Sequence, residues 1–163
     1  TPASFGEVRN RADTVVVMHD GRVVQSGTPA ELFDKPAHTF VGYFIGSPGM
    51  NVLQAQVTGD KAVVGGTQIS LGKGFGTPTG KVEIGVRPEF TSLAAGDAGL
   101  PVTIKRVEDV VRHKIVRADF QGTEINVIAA EGAEITPDMN RIVFDPAGVN
   151  VYSDSWRIAP MGA

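Results

Sequence analysis

The sequence contains no cysteine among its 163 residues. Disulfide bonds, thiolate zinc sites and cysteine nucleophiles are therefore excluded, and a reducing compartment is compatible with the composition. The chain also lacks a long apolar run and a basic, apolar leader at its start, so we expect neither a membrane span nor a signal peptide. Any association with a membrane is expected to come through a partner.

Concentrated positive charge is missing as well. The formal net charge is -3, and the 15 lysine and arginine residues are dispersed along the chain. A groove that follows nucleic-acid phosphates needs a concentrated basic face. We therefore expect no nucleic-acid partner.

Turn-forming residues are abundant, with 20 glycines and 10 prolines spread along the chain. This composition indicates many short elements joined by turns and favours β architecture. After Asn51 the apolar residues recur with a period of two, which predicts short strands. The predicted strands cover residues 52–57, 61–64, 67–71, 81–86, 102–111, 114–120, 124–129, 141–144 and 149–152. Nine short strands in about a hundred residues suggest a barrel.

The first fifty residues follow a different pattern. Apolar runs at 14–18 and 22–25 flank an Asp20-Gly21 turn signal, which predicts a two-stranded hairpin. Thr28 is expected to cap a short helix that ends by Asp34. A second helix is predicted over 39–45, and the glycine and proline residues of 46–49 end it.

The first predicted strand needs other elements to cover its apolar side chains. Residues 15–18 are apolar throughout, which is typical of an almost fully buried strand with layers on both faces. The stripe formed by Phe40, Val41, Phe44 and Ile45 is expected to belong to the core. If the strand finds no cover within the chain, we predict association or partial disorder before Asn51.

Catalytic patterns are absent from the sequence. There is no G-x-x-x-x-G-K-[ST] phosphate loop. His19, His38 and His113 have no metal-ligand spacing, and we expect them to be solvated turn histidines. Glu108 and Asp109 are neighbours on a predicted strand and point to opposite faces, so they cannot flank one bond. We predict no catalytic, cofactor-binding or metal-binding residue.

Two pairs of residues are candidates for other roles. Arg87 lies beside a proline and Glu89, and it is predicted either to form an internal bidentate pair with that glutamate or to face an effector. Trp156 and Arg157 are candidates for closing the barrel or for a subunit contact, since tryptophan and arginine are common interface anchors.

Two motifs carry a resemblance to a known family. Residues 12–51 read ADTVVVMHDGRVVQSGTPAELFDKPAHTFVGYFIGSPGMN, and residues 84–90 read IGVRPEF. Together they resemble the C-terminal portion of the ATP-binding subunits of bacterial ABC importers for sugars, polyols and glycerol phosphate. The same alignment places Ala3 at the position of the family's switch histidine.

The resemblance implies a fold and an arrangement of domains. Residues 1–48 would be the end of an ABC nucleotide-binding domain, and residues 49–163 an OB-like accessory domain. The implied fold class is mainly β, with an OB-like β-barrel preceded by a small α/β remnant. In this family the segment around Arg87 belongs to the accessory domain and not to the ATP site.

The resemblance also implies a function for the chain. It would be the regulatory and dimerisation part of an importer subunit, in a homodimer bound to an integral permease at the cytoplasmic face of the membrane. ATP and magnesium would be cofactors of the full-length relative, while this segment would be non-catalytic. The solute stays open among sugars, polyols and glycerol phosphate.

Two alternatives follow from the OB-like fold. A free-standing module that binds a small oxyanion or a saccharide is one, because OB-like barrels bind ligands at their loop mouths. Single-strand nucleic-acid binding is the other, and it needs aromatic side chains interleaved with basic ones. Acidic residues lie close to most of the later aromatic residues, which argues against the second alternative.

Overall fold

The computed structural model describes residues 14–46 and 48–161. The predicted switch position at Ala3 lies outside these residues. The described chain is mainly β, which confirms the predicted fold class. We refer to residues 14–46 as the N-terminal unit and to residues 48–161 as the β-domain.

The N-terminal unit is an antiparallel hairpin followed by two short helices. Strands β1 (Val15–His19) and β2 (Arg22–Gly27) pair, and helices α1 (Pro29–Asp34) and α2 (Thr39–Phe44) follow. Asp20 and Gly21 both have positive φ, as a type I′ hairpin turn requires. The Thr28 Oγ1 accepts a hydrogen bond of 3.2 Å from the Glu31 amide, which confirms the predicted cap.

This unit buries only one side of its hairpin. The cluster of buried residues in it consists of Val17, Leu32, Val41 and Ile45. The prediction of an almost fully buried first strand is wrong within the described chain, since Val16 and Met18 are exposed. Phe44 is exposed too, contrary to its predicted place in the core. The reason is geometric, because two short helices cover one face of a two-stranded sheet and no described element covers the other.

The β-domain contains thirteen strands and two short 3-10 turns. The turns are Pro88–Phe90 and Pro146–Gly148. The strands are β3 (Asn51–Gln54), β4 (Gln56–Thr58), β5 (Lys61–Val64), β6 (Thr67–Ser70), β7 (Val82–Val86), β8 (Thr91–Ala94), β9 (Leu100–Pro101), β10 (Thr103–Val110), β11 (His113–Phe120), β12 (Thr123–Ala130), β13 (Arg141–Phe144), β14 (Val149–Ser153) and β15 (Trp156–Ile158).

These strands form four small antiparallel sheets around one core. The sheet orders are β15-β14-β7-β3, β10-β11-β12, β8-β13-β9 and β4-β5-β6. Apolar side chains from all four sheets belong to a single buried cluster, which includes Ile84, Val116, Ile142 and Ala62. The predicted barrel thus takes the form of several short sheets whose apolar faces converge.

The strand pattern differs from the sequence prediction in two ways. The predicted strand over 52–57 is divided at Ala55, whose amide donates to the Val82 carbonyl, and its two halves join different sheets. Strands β8, β9 and β15 were not predicted. They are two to four residues long, which is too short for alternation to be recognised.

Candidate functional site at the junction of the two units

Arg87 lies at the centre of the contact between the N-terminal unit and the β-domain. It follows β7 directly and is almost completely buried. Its Nε donates to the Phe33 carbonyl oxygen (3.1 Å), and its Nη1 donates to the carbonyl oxygens of Gly42 (3.1 Å) and Ile45. These carbonyls belong to the ends of α1 and α2, where helical carbonyls have no partner within the helix. One side chain of the β-domain therefore caps both helices of the N-terminal unit.

The surroundings of Arg87 favour this capping role electrostatically. A cation at a helix C-terminus is attracted by the helix dipole. The guanidinium also lies over the Phe33 ring, 4.4 Å from its centroid. Burial lowers the pKa of Arg87, while attraction from the carboxylates of Glu89 and Asp34 opposes this effect. Glu89 is exposed, and the hydrogen bonds of Arg87 go to main-chain carbonyls and not to that carboxylate.

Met50 fills the gap between the two units. Its amide donates to the Gly42 carbonyl (2.9 Å), and its side chain is buried between Gly42 of α2 and Gly85 of β7. A Cβ at Gly85 would lie 2.7 Å from both Met50 Cε and Tyr152 Cε1. Both glycines therefore allow the close approach of Met50 that joins α2 to the sheet.

Asn51 connects two sheets through its side-chain amide. The Nδ2 donates to the Asn126 carbonyl (2.9 Å), and the Asn126 amide donates to Asn51 Oδ1 (2.9 Å). A buried side chain here replaces the backbone of a neighbouring strand and links β3 to β12. The motif that ends in Met50-Asn51 thus places one residue against the N-terminal unit and the next inside the β-domain.

Tyr152 forms a third link between the units. The side chain is fully buried, and its hydroxyl donates to the Pro36 carbonyl (2.7 Å) on the segment between α1 and α2. Burial raises the pKa of the Tyr152 phenol well above its usual range. The phenol is therefore held as a neutral donor.

Replacing Tyr152 with phenylalanine is expected to destabilise the chain by about 1–2 kcal/mol, because the buried Pro36 carbonyl loses its donor. The native phenol ionises at higher pH than a phenol in the unfolded chain, so its contribution is complete below about pH 10 and is lost as the pH rises further. Urea unfolding at pH 7 and pH 10.5 measures both effects. Tyr43→Phe, at an exposed tyrosine, is the control at neutral pH.

Trp156 and Arg157 also contact the N-terminal unit. The Arg157 amide donates to the Ala37 carbonyl (2.8 Å), and the Thr39 amide donates to the Ser155 carbonyl (3.0 Å). The segment before α2 thereby pairs with β15. Trp156 packs edge-on against the His38 ring, with centroids 4.7 Å apart, and stays 49% exposed. Within this chain both predicted interface residues contribute to the junction.

His38 has a defined structural role. Its Nδ1 accepts a hydrogen bond of 3.0 Å from the Phe40 amide and caps α2. The prediction of solvated turn histidines is wrong for this residue, and it is also wrong for His113, which lies at the start of β11. Burial first, and repulsion from His19 second, lower the pKa of His38.

Protonation of His38 removes the lone pair that accepts from Phe40, so acidification is expected to loosen α2. Because the folded-state pKa is depressed, the contribution of this group is present above about pH 6.5 and is lost as the pH falls through the folded-state value. His38→Ser keeps a capping oxygen and removes the titration. Unfolding between pH 5 and pH 7.5 is expected to show a weaker acid dependence for this variant than for the parent chain. An unchanged dependence would show that other groups cause it.

Three clefts on the β-domain are separate from the junction. One of about 420 Å³ is lined by Gln54, Glu83, Gln121 and Thr123 among others, and a neighbouring one of about 600 Å³ includes Gln54 and Lys81. A third, of about 500 Å³, lies between the start of β10 and residues 135–140. Among the described residues, Lys81 is the one basic side chain that lines the second cleft, and Glu83, which is 8% exposed, lines the first. An acidic side chain in the lining disfavours an oxyanion there.

In the described part of the chain, no group of three or more histidine or acidic residues is placed to hold a metal ion. No described helix is long and apolar enough to cross a bilayer.

The sequence singled out three of these residues without predicting this junction. Arg87, Trp156 and Arg157 were recognised as candidates, and the structure brings all three to the junction. No role was predicted for Met50 and Asn51, although their position at the end of the first motif could have indicated one. Tyr152 was missed, because a single tyrosine in a short strand carries no sign of a partner 116 residues away.

A protein-family model and several known proteins match this chain. Residues 46–90 match the family model of the MalK OB fold domain. The uncharacterized ABC transporter ATP-binding protein y4oS of Sinorhizobium fredii is 36% identical over 140 residues, which make up 80% of this chain and 36% of that protein.

Two further relatives are named for their transport function. The sn-glycerol-3-phosphate import ATP-binding protein UgpC of Vibrio vulnificus is 36% identical over 71% of this chain and 32% of its own length. UgpC 1 of Rhizobium johnstonii is 34% identical over 93% of this chain and 43% of its own length. The chain thus spans less than half the length of these relatives. The matches confirm the resemblance predicted from the two motifs.

Proposed function

We propose that this chain is the regulatory and dimerisation part of an ABC importer ATP-binding subunit. It matches the C-terminal portion of such bacterial subunits and carries their OB-type fold. The observation that carries this proposal is the junction. The motif residues Met50, Asn51 and Arg87 connect the N-terminal unit to the β-domain through buried contacts. In a longer subunit, such contacts would transmit movement of a nucleotide-binding domain to its accessory domain.

The exposed face of the hairpin supports this proposal. Val16, Met18 and Val23 leave more than half of their surface exposed. A contiguous apolar surface of this kind is typical of a protein contact. We assign this face to the remainder of a nucleotide-binding domain, which would supply the second layer that an apolar strand requires.

The same proposal assigns partners, location and cofactors. The subunit would act as a homodimer on the cytoplasmic side of a membrane permease, where linked accessory domains keep the ATPase cores at an effective concentration in the millimolar range. ATP and magnesium would bind the nucleotide-binding domain of the full subunit. The solute would be a sugar, a polyol or glycerol phosphate, and sn-glycerol 3-phosphate is the one named for several relatives.

The alternative of a small-ligand module receives less support. Its oxyanion form is disfavoured by Glu83 in the cleft next to Lys81. A saccharide would find amide and hydroxyl groups there, from Gln54, Gln121 and Thr123. These groups lie on an open surface without an aromatic platform beyond the edge of Phe120.

A chimeric transporter tests the proposed function. The matching part of Vibrio vulnificus UgpC is replaced by this chain, and uptake of sn-glycerol 3-phosphate is measured in cells that lack their own transporter. We expect uptake well above that of UgpC truncated at the same position. A chimera that is present at normal levels and gives no more uptake than the truncated subunit would refute the proposal.

A matched pair of variants separates the junction from general effects on the surface. Arg87→Ala in the chimera removes the cap of both helices, whereas Lys73→Asp changes an exposed charge on the segment between β6 and β7. The first is expected to reduce uptake and the second to leave it unchanged. Equal uptake by both would show that the junction has no role in transport.

A further inference from the structure

Strand β10 is an exposed sheet edge with an unusual sequence. It pairs with β11 on one side, and within the described residues no strand pairs with its other side. Such an edge presents free N–H and C=O groups that can template another strand. At eight residues, β10 is also among the longest strands of the chain.

The charges along this edge complement one another when the strand is paired with itself. In an antiparallel pair centred on Val107, Lys105 lies opposite Asp109 and Arg106 lies opposite Glu108. Val107 lies opposite its own copy, and Ile104 lies opposite Val110. Each basic residue therefore meets an acidic one, and each apolar residue meets an apolar one, which is the pattern that stabilises cross-strand pairs.

The central charges are already held at the edge. Arg117 of β11 binds Glu108 through two hydrogen bonds of 3.2 Å, and Arg106 Nη2 lies 2.7 Å from Glu108 Oε1. A second Arg106 from a paired copy would find this carboxylate in place. Lys105 and Asp109 lie outside that arrangement and are exposed, and Asp109 Oδ1 lies 3.9 Å from Lys114 Nζ of the same chain.

Exposed apolar side chains accompany the charges. Val107 is 40% exposed, and Val111 at the tip of the hairpin is 85% exposed. Pairing about Val107 would bring the two Val107 side chains together and lay each tip beside the start of the partner's β10. Edge strands that avoid association usually carry charged residues or proline, whereas β10 carries a valine at its centre.

The β-bulge in the strand limits the pairing without preventing it. The register with β11 shifts between Ile104 and Arg106, so Lys105 is the extra residue. From Arg106 to Val110 the register is regular. The pairs of Arg106 with Glu108 and of Val107 with its own copy therefore lie within regular strand, whereas the pairs of Lys105 with Asp109 and of Ile104 with Val110 cross the bulge.

We propose that β10 pairs with β10 of a second copy of this chain, antiparallel about Val107, and joins the two three-stranded sheets into one of six strands. The inference refines the homodimer of the proposed function by naming its contact surface. Charge complementarity identifies the second copy as the occupant, because an unrelated strand would have to match two basic residues followed by two acidic ones by chance.

A single cysteine tests the geometry. The chain has no cysteine, so Val107→Cys introduces the sole thiol, and directly opposite residues in such a pair have Cβ atoms about 5 Å apart. Mild oxidation of the 163-residue chain is expected to give a disulfide-linked dimer. Val63→Cys is the control, since Val63 has a similar exposure of 38% and lies on the middle strand of another sheet. Equal yields of dimer from both variants would overturn the proposal.

Exchange of charges tests the register. Asp109→Lys and Lys105→Asp each place like charges opposite one another at two symmetry-related positions, so each is expected to weaken dimerisation about tenfold or more. The double variant restores both pairs and is expected to dimerise like the parent chain. Sedimentation equilibrium measures the dissociation constants. Loss of dimer in the double variant, or no loss in either single variant, contradicts the proposed register.

The outcomes also separate this inference from the proposed function. A dimer that persists through every exchange of charge would locate the contact on another surface and leave the importer role in place. A chain that stays monomeric at several hundred micromolar would overturn the β10 pairing, while uptake by the chimera would still decide the transport role. If β10 pairing is demonstrated but the chimera gives no uptake, the pairing stands and the proposed transport role is refuted.

Discussion

Arg87→Ala is expected to destabilise the chain by about 2–4 kcal/mol. The carbonyl oxygens of Phe33 and Ile45 lose their side-chain donor at the ends of two helices, the Gly42 carbonyl keeps only the Met50 amide, and a buried cavity replaces the guanidinium. Relief of the desolvation of a buried cation offsets part of this cost. Urea unfolding followed by the fluorescence of Trp156, which is the only tryptophan of the chain and lies at the junction, measures the effect.

Two further variants define what Arg87 contributes. Arg87→Lys keeps the charge but cannot span two helix ends with a planar fork, so we expect an intermediate loss of about 1–2 kcal/mol. Arg22→Ala, at the exposed start of β2, is the matched control and should change stability by less than about 0.5 kcal/mol. If Arg87→Ala were as mild as the control, the junction would not depend on this side chain.

Asn51→Ala is expected to cost about 2–3 kcal/mol, because the amide and the carbonyl of Asn126 both lose their partner in a partly buried place. The loss should loosen the contact between β3 and β12 more than the hairpins on either side of it. Hydrogen exchange at the Asn126 amide, together with urea unfolding, measures the local and the global effect.

Asn150→Ala is the control for this prediction. Asn150 is a half-buried asparagine on β14, and among the described residues its side chain shows no comparable pair of hydrogen bonds to a strand. It is expected to change stability by less than about 1 kcal/mol. Similar losses of stability in both variants would mean that the hydrogen bonds between Asn51 and Asn126 contribute no more than those of an ordinary half-buried asparagine.

Local signals were sufficient for much of the fold. The Asp20-Gly21 turn and the Thr28 cap are decided by neighbouring residues, and both were predicted correctly. Alternation over eight residues was enough to identify β11 and β12. Where an element is short, as in β9, or where a strand changes sheets, as at Ala55, the outcome depends on distant partners that the local sequence does not contain.

The site illustrates the same division. Arg87 could be chosen from its neighbours, but its partners are 42 to 54 residues away and are main-chain carbonyls, which have no sequence signature. The burial of Val16 and Met18 was predicted from their apolar character alone. It fails because burial requires a covering layer, and the described residues supply a layer on one side only.

Native-state hydrogen exchange in the parent chain and in Arg87→Ala tests the central claim most directly. The claim is that the junction holds the N-terminal unit and the β-domain together. We predict that amides of α1 and α2, such as those of Leu32 and Gly42, are protected in the parent chain and lose at least about tenfold in protection in the variant, more than amides of β11 and β12 lose. Equal protection of α1 and α2 in the two proteins would contradict the claim.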